Sequence, residues 1–199
     1  MIKRIKKIKV TAEELLSRYG AGERNFSGIY FRGESLDNAD LRDINLSGSD
    51  LGDTELCNVN LSKANLSGSS LCEVSWEKVN FSYAQLRGAV LDNISLFKCN
   101  FTKANLNEAN LIESWVEGCN FDGATLTGAM LGLATFTKVS CRNATFDGAY
   151  FAGENCFENS DLTGASFKAC DFIFPEHIPP NAPYYLILPD GRILGNIPQ

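Results

Sequence analysis

A hydrophobic residue recurs at every fifth position over most of the chain. Counted in steps of five from Phe26 to Phe151, there are 26 such central positions, of which 23 are Leu or Phe. The exceptions are Trp76, Val116 and Cys141. The residue that stands two before the central position is Ala, Ser, Thr, Cys or Val in 21 cases out of 26. Each unit of five therefore supplies two side chains that suit a packed interior.

This period of five excludes the common regular structures. An α-helix repeats every 3.6 residues and a strand every 2, so neither matches. A short extended segment followed by a bend does match, because two residues that lie two apart in an extended segment point the same way. Glycine often occupies the second bend position, as at Gly48 and Gly68, where it relieves backbone strain. Successive bends would wind the chain into coils about 4.8 Å apart.

The repeated units resemble a known family. Typical units are Ala39-Asp-Leu-Arg-Asp43, Ala64-Asn-Leu-Ser-Gly68 and Ala104-Asn-Leu-Asn-Glu108. They resemble the pentapeptide-repeat family, whose consensus is Ala-(Asp/Asn)-Leu-x-x, and the segment from Ala12 to Phe26 resembles the start of cyanobacterial-type members. The resemblance covers residues 24–172. It implies an all-β solenoid, a right-handed quadrilateral β-helix with four units in each coil.

Four units per coil would place residues 20 apart in one column. The columns that begin at Phe26, Phe31, Leu36 and Leu41 then contain mostly like residues, which favours this grouping, although three units per coil remain an alternative. The fourth column predicts a stack of three consecutive aromatic rings, Phe81, Phe101 and Phe121. The residue before each central position on that side predicts an amide ladder, of a kind that stacked strands favour. Its members are Asp40, Asn60, Asn80, Asn100 and Asn120.

The segment before the repeat predicts a basic arm and a capping helix. Residues 1–10 contain five of the 18 Lys and Arg residues. Residues 11–23 predict an N-terminal capping helix, with Thr11 as N-cap and Glu14 reaching back to it. Leu15, Leu16 and Tyr19 are expected to cover the first coil. Such a cap prevents the open end of a solenoid from polymerising.

The other end of the repeat also departs from the pattern. The phase slips by one residue near residues 152–157 and then resumes. All six prolines fall within residues 173–199, which predict a C-terminal cap. Within it, residues 184–188 and 192–194 predict the two strands of a hairpin that shields the last coil.

The sequence contains no pattern typical of an enzyme. It lacks a phosphate-binding glycine loop, a nucleophile elbow and a zinc motif, so we expect no catalytic, cofactor-binding or metal site. His177 is the one histidine and has no partner nearby in sequence. Cys99 and Cys119 are 20 apart; a redox pair is conceivable there, but core filling is the favoured interpretation.

Charge and hydropathy restrict the partners and the compartment. The net charge of −6 argues against direct nucleic-acid binding by the rod. No apolar run reaches the roughly 18 residues of a membrane span, and the basic start lacks the apolar core of a signal peptide. These features favour a cytoplasmic protein with reduced thiols. The basic arm is a candidate contact for an anionic membrane or nucleic acid, and a solvated terminus is the alternative.

Several apolar residues occupy positions that should face outward. Five belong to the side that begins with Phe31, and two follow the adjoining corner, so together they predict an interaction patch. The alternative is that Trp115 and Val116 mark a local distortion of the coil. The patch comprises Val90, Phe97, Ile112, Trp115, Met130, Leu133 and Tyr150.

Two functions fit these features. The first is a non-catalytic structural or protein-interaction rod that self-associates or binds an unidentified partner. The second follows from the resemblance, since some family members mimic duplex DNA and bind DNA gyrase. Those members dimerise through a C-terminal helical region, whereas this C-terminus is rich in proline.

Overall fold

The computed structural model describes residues 8–152, 156–170, 185–187 and 193–195. A single helix, α1 (Ala12–Gly20), comes first among these residues. Seven short strands follow at regular intervals and form one parallel sheet in chain order. They are β1 (Ser35–Asp37), β2 (Glu55–Cys57), β3 (Ser75–Glu77), β4 (Ser95–Phe97), β5 (Trp115–Glu117), β6 (Thr135–Thr137) and β7 (Cys156–Glu158).

The chain is a solenoid with four sides. Strand β1 pairs with β2 so that Leu36 lies opposite Leu56, exactly four units of five further along the chain. Three series of single bridges, represented by Asn25↔Asn45, Tyr30↔Asp50 and Asp40↔Asn60, show the same register on the other sides. The four-unit coil is therefore confirmed, and six turns separate β1 from β7. We number the sides 1 to 4 after the columns of central residues that begin at Phe26, Phe31, Leu36 and Leu41.

The bend of each unit requires a left-handed backbone at its second residue. Gly48 and Gly68 have φ values of 64° and 63° there, as the glycine pattern predicts. Other units place larger residues in the same conformation, among them Asn38 (55°), Lys63 (60°) and Leu133 (58°). A non-glycine residue in this region costs roughly 1 kcal/mol or more, so packing and hydrogen bonds between coils must offset the strain.

The register changes once along the described residues. Met130 bridges Tyr150 in the regular register of four units, but β6 pairs with β7 in a register that is longer by one, with Phe136 opposite Phe157. One extra residue therefore lies between Tyr150 and Cys156. The central column of side 3 nevertheless continues, because Phe157 is buried and stacks on Phe136 at 5.0 Å.

The interior consists of columns of identical or similar side chains. On side 4, Phe81, Phe101 and Phe121 are fully buried and stack at ring distances of 4.8 and 4.7 Å. Their planes differ by 11° and 5°, so the coil spacing imposes a nearly parallel stack. Trp76 lies beside Phe81, and its indole N–H donates to the Thr54 carbonyl at 3.1 Å.

The helix is capped differently from the expectation. Thr11 Oγ1 accepts a hydrogen bond from the Glu14 N–H at 3.2 Å, so the predicted N-cap is confirmed. The Glu14 carboxylate does not reach back; it pairs with Arg18 at 2.9 Å. The Ala12 N–H donates instead to the carboxylate of Glu34, from the first coil, at 2.9 Å. This bond ties the helix start to the solenoid.

Residues around α1 close the first coil. Leu15 is buried and Tyr19 packs against the core, but Leu16 is exposed, so its predicted place over the coil is wrong. Just before the helix, Val10 is fully buried, and its N–H donates to the Tyr30 carbonyl at 3.0 Å. The last residues of the basic arm thus add a short parallel segment to side 2.

Two further strands lie in the C-terminal segment. Strand β8 (Tyr185–Ile187) pairs with β9 (Ile193–Gly195) in the antiparallel direction, which confirms the two predicted hairpin strands. The residues between them, and the prolines, lie outside the described residues. Coverage of the last coil by this hairpin remains a prediction.

Replacing a ring in the middle of the aromatic stack should destabilise the rod. Phe101→Ala removes contacts with two stacked rings in a closed interior and should lower the free energy of unfolding by about 3–5 kcal/mol. Urea denaturation followed by circular dichroism measures this. The control Tyr83→Ala, an exposed residue of side 4, should change it by less than about 1 kcal/mol. Equal effects of the two substitutions would contradict the stacked core.

Candidate interaction surface

Charge is unevenly distributed over the four sides of the repeat. On sides 1 and 4, acidic and basic residues at outward positions are equal in number within the described residues. Sides 2 and 3 carry an excess of acids. Side 2 has Asp50, Asp53, Glu73, Asp92 and Glu113 against Arg32; side 3 has Asp37, Glu55, Glu77, Glu117 and Glu158 against Lys78, Lys98 and Lys138.

Part of the acidic charge on side 2 is paired. Arg32 Nε lies 2.8 Å from Asp53, and the same guanidinium lies 3.2 Å from Glu73 and 3.9 Å from Asp50. The cluster crosses three coils at the N-terminal end of the rod. Because these groups are partly or largely exposed, the pairing contributes little to stability. The more distant coils of side 2, from Val90 onward, carry no basic residue at outward positions.

Three of the predicted patch residues stack on side 2. Val90 bridges Asn110, which bridges Met130, which in turn bridges Tyr150. The apolar side chains therefore lie in one row, which Asn110 interrupts. All three of them are exposed. This row forms the middle of a surface at the C-terminal half of the rod.

The corner between sides 2 and 3 carries two more patch residues. Leu133 is 51% exposed at a bend position with positive φ. Ile112 is only half-buried, and its N–H donates to Asn110 Oδ1 at 3.1 Å. The corner thus connects the row on side 2 with the side chains of side 3.

Side 3 contributes the aromatic residues of the patch. Trp115 is 59% exposed, the largest exposure among the predicted patch residues, and it lies opposite Ser95. Phe97 is also exposed, with the Lys98 ammonium 4.5 Å from its ring centre. Strand β5 pairs with both neighbours in regular register and Val116 is fully buried, so no distortion explains Trp115.

Two open grooves follow the outer surface of side 3. The groove beside the aromatic residues has a volume of about 200 Å³ and is lined by Ser75, Ser95, Leu96, Phe97, Trp115 and Glu117. The other, nearer the N-terminus, has a volume of about 410 Å³. It is lined by Ser35, Leu36, Asp37, Glu55, Leu56, Cys57, Ser75 and Glu77. Side 3 has grooves because its strands extend over three residues, so the side chains flanking each central residue form two rows.

Two exposed features of the structure were not predicted from the sequence. Tyr83, at a bend of side 4, is 50% exposed, with the Lys103 ammonium 5.6 Å from its ring centre. The second feature is the row of carboxylates on side 3 at every second coil. Counting outward positions in steps of two coils would have found Asp37, Glu77 and Glu117.

The conceivable redox pair lies inside the rod. Cys99 and Cys119 are buried free thiols, and the Cys99 N–H donates to Cys119 Sγ at 3.3 Å. The hydrogen bond with Cys99 and burial both raise the pKa of Cys119. Burial likewise raises the pKa of Cys141. Protonated thiols of this kind fill the core and are poor nucleophiles.

The described part of the chain has neither a metal-binding cluster nor a membrane-spanning helix. No three of its His, Cys, Asp and Glu residues are placed to hold a metal ion. His177 lies outside the described residues. Within them, no helix has both the length and the apolar character that a membrane crossing demands.

The buried thiols predict a loss of stability at alkaline pH. Burial raises the pKa of Cys170 to about 12, whereas a thiol in the unfolded chain ionises near pH 8.5. Above that pH the unfolded state binds fewer protons than the native state, so the free energy of unfolding falls by up to about 1.4 kcal/mol per pH unit and thiol. Urea denaturation from pH 7 to 10 measures this fall. Cys141→Ala should make the free energy of unfolding fall less steeply with pH, whereas Cys57→Ser, at an exposed site, should not. Equal slopes of the free energy of unfolding against pH in the two variants would contradict the prediction.

The comparisons with known proteins identify the family. The profile of the pentapeptide repeats matches eight copies within residues 25–153, in overlapping segments. These cover more than half of the chain, and the four-sided coil agrees with them. The chain belongs to the pentapeptide-repeat family. None of the curated protein sequences matches it.

Solved structures that are similar to this chain include three proteins of low identity. HetL, from the cyanobacterium Nostoc sp. strain PCC 7120 and involved in heterocyst differentiation regulation, is 27% identical; the match covers 93% of this chain and 100% of HetL, with a TM-score of 0.47. QnrB1, a plasmid-mediated fluoroquinolone resistance protein, is 22% identical over 75% of each chain, with a TM-score of 0.52. Rfr23, from the cyanobacterium Cyanothece 51142, is 23% identical over 80% of this chain and 96% of Rfr23, with a TM-score of 0.26.

Proposed function

We propose that this chain is a non-catalytic interaction rod that binds a partner protein through sides 2 and 3. The observation that carries the proposal is the coincidence of two features on the same sides. The predicted patch residues occupy the shared corner and its flanks, and the same two sides hold the excess of acidic residues. A stable core does not need either feature, because sides 1 and 4 pack equally well without them.

The arrangement indicates the chemistry of the partner surface. Trp, Tyr, Phe and Met are enriched in protein interfaces, and Trp and Tyr supply much of the binding free energy. Acidic residues around such a centre favour a partner with basic residues around an apolar contact. Trp115 is the best candidate for the central contact, since it is exposed and projects from a rigid strand.

We also infer that the rod acts in a reducing compartment such as the cytoplasm and without a cofactor. Six cysteines of the described residues are free, which is usual where thiols remain reduced. The interior of the repeat consists of side chains that a solenoid needs for packing and for its bends. These features support an interaction role rather than chemistry.

The patch can be tested with a double substitution. Trp115→Ser with Met130→Ser should weaken capture of the partner from a native lysate, because it removes two exposed apolar contacts. The melting temperature should stay within a few degrees, since neither side chain belongs to the core. Quantitative mass spectrometry of the captured proteins measures the effect. Tyr83→Ser is the matched control, an equally exposed residue on side 4.

Two results would overturn the patch. If the double variant and the control capture the same proteins in equal amounts, the patch does not bind them. If the double variant unfolds, Trp115 contributes to the core, and its fluorescence in the wild type would already be blue-shifted.

A second candidate function is a DNA mimic that binds DNA gyrase or another DNA-binding protein. The likeness to QnrB1 concerns the fold; what favours this candidate is the acidic charge of two adjoining sides of a narrow rod. Proteins that bind DNA present basic surfaces to its phosphates, and acidic side chains can occupy those surfaces.

A supercoiling assay tests the second candidate. If the rod occupies the DNA site of purified gyrase, it should change the supercoiling activity or its inhibition by a fluoroquinolone. The triple variant Glu55→Gln, Glu77→Gln and Glu117→Gln removes charge with little change in shape and should lose most of the effect. If the wild type leaves both readouts unchanged, gyrase is not the partner and the first proposal is unaffected.

A further inference from the structure

The N-terminal groove on side 3 has a floor and two walls of different chemistry. The backbones of Leu36 and Leu56, whose side chains are buried in the core, form the floor, and Asp37, Cys57 and Glu77 form one wall, in consecutive coils. Ser35, Glu55 and Ser75 form the other wall. All these residues belong to β1, β2 and β3 and precede the coils that carry the patch residues. The groove therefore contains no patch residue, and it meets the groove beside the aromatic residues at Ser75.

The acidic groups in this groove are spaced at every second coil on one wall. Asp37 and Glu77 are two coils apart, which corresponds to about 9.6 Å at the spacing of paired strands. Glu55 belongs to the coil between them but lies on the opposite wall. The three carboxylates thus alternate across the groove. Such an arrangement would complement a chain that presents cations at the same interval on two of its edges.

These carboxylates are available for a ligand. Glu77 pairs with Lys78 at 2.7 Å, but both side chains are about half exposed and such a pair exchanges readily. Asp37 and Glu55 have no ion pair within the described residues. The floor is strand backbone, whose hydrogen bonds are already made between the coils. A ligand would therefore be recognised through its side chains.

The basic arm of this same chain has the matching pattern. Residues 1–7 read Met-Ile-Lys-Arg-Ile-Lys-Lys, so isoleucine and lysine each recur every third residue. An extended chain of the polyproline II type has three residues per turn and rises about 9.3 Å in each turn. In that conformation Ile2 and Ile5 form one edge, Lys3 and Lys6 a second, and Arg4 and Lys7 a third. The interval of each edge is close to the interval between Asp37 and Glu77.

We propose that residues 1–7 of a second copy of the chain bind in the N-terminal groove of side 3. Ile2 and Ile5 lie against the strand backbone at the floor of the groove. Lys3 and Lys6 pair with Asp37 and Glu77, and Arg4 and Lys7 lie along the wall that contains Glu55. The interaction joins the most basic segment of the sequence to an acidic surface of the rod.

The position of the arm explains why a second copy is needed. Lys9 bridges Tyr30 on side 2 in the parallel direction, so Ile8 lies at the edge of side 2 next to side 1. Side 3 adjoins the opposite edge of side 2. Lys6 precedes Ile8 by two residues and can lie at most about 7 Å from it. That distance is too short for Lys6 to cross the five-residue unit of side 2 and reach the groove of its own copy.

Self-association of the full chain tests the proposal. Sedimentation velocity at low salt should show association that weakens at about 0.5 M salt, because the pairs are exposed and screened. Lys3→Glu with Lys6→Glu should raise the dissociation constant at least about tenfold, and Asp37→Lys with Glu77→Lys should do the same. The controls are Lys63→Glu with Lys103→Glu, and Glu13→Lys with Glu108→Lys, which change the same charges elsewhere and should have little effect.

Mixing the two variants gives the sharpest result. The acidic arm of the first variant should bind the basic groove of the second, so the mixture should associate although each variant alone does not. Trp115→Ser with Met130→Ser should leave this association unchanged, which separates the arm and groove from the proposed partner patch. Association that the patch variant abolishes and the arm variant retains would overturn the proposal.

Cys57 provides an independent measurement within the groove. It is the exposed thiol on the wall between Asp37 and Glu77. A synthetic peptide of residues 1–7, added to the full-length Lys3→Glu, Lys6→Glu variant, should slow alkylation of Cys57 several-fold. A peptide with the two lysines changed to glutamate should not slow it. A wild type that stays monomeric at low salt, together with unprotected Cys57, would overturn the proposal.

Discussion

The hydrogen-bond ladder between coils is the constraint on which the rest of this structure depends. Each coil donates to and accepts from its neighbours in a fixed register: the Leu66 N–H donates to the Gln85 carbonyl at 2.7 Å, and the Gln85 N–H donates to the Ala64 carbonyl at 2.9 Å. Because this pattern fixes the register on all four sides, at four units up to Tyr150 and one residue more after it, side chains stack on their equivalents in the next coil. The interior must then be filled by columns of like residues, and the exterior is divided into rows.

Much of this could be predicted from the sequence because the ladder makes distant contacts regular. The stack of Phe81, Phe101 and Phe121 follows from the spacing alone. The amide ladder is confirmed for its middle members, since Asn80 donates to Asn60 and Asn100 donates to Asn80, each at 3.2 Å, whereas Asp40 pairs with Arg42. The ends are different, because no repeat determines them. The bond from Ala12 to Glu34 depends on how the helix lies over the first coil, and no local pattern in the sequence reveals that.

The candidate surface was predictable in position but not in shape. The period places the patch residues at outward positions, yet it cannot distinguish the exposed Trp115 from the half-buried Ile112. That difference arises because side 3 is extended over three residues while the other sides pair through single bridges. The same difference produces the grooves, so they too were invisible in the sequence.

The alternation of acids on side 3 follows from the same stacking that builds the core. Like charges in adjacent coils would lie about 4.8 Å apart and repel by about 0.9 kcal/mol even in bulk water, whereas a separation of two coils halves that energy. Placing Asp37 and Glu77 at every second coil, with Cys57 between them, is thus a way to carry acidic charge on a stacked surface. The interval that relieves repulsion within the rod is also close to one turn of an extended chain. A surface arranged for the stability of the solenoid is thereby arranged to bind a segment whose cations recur every third residue.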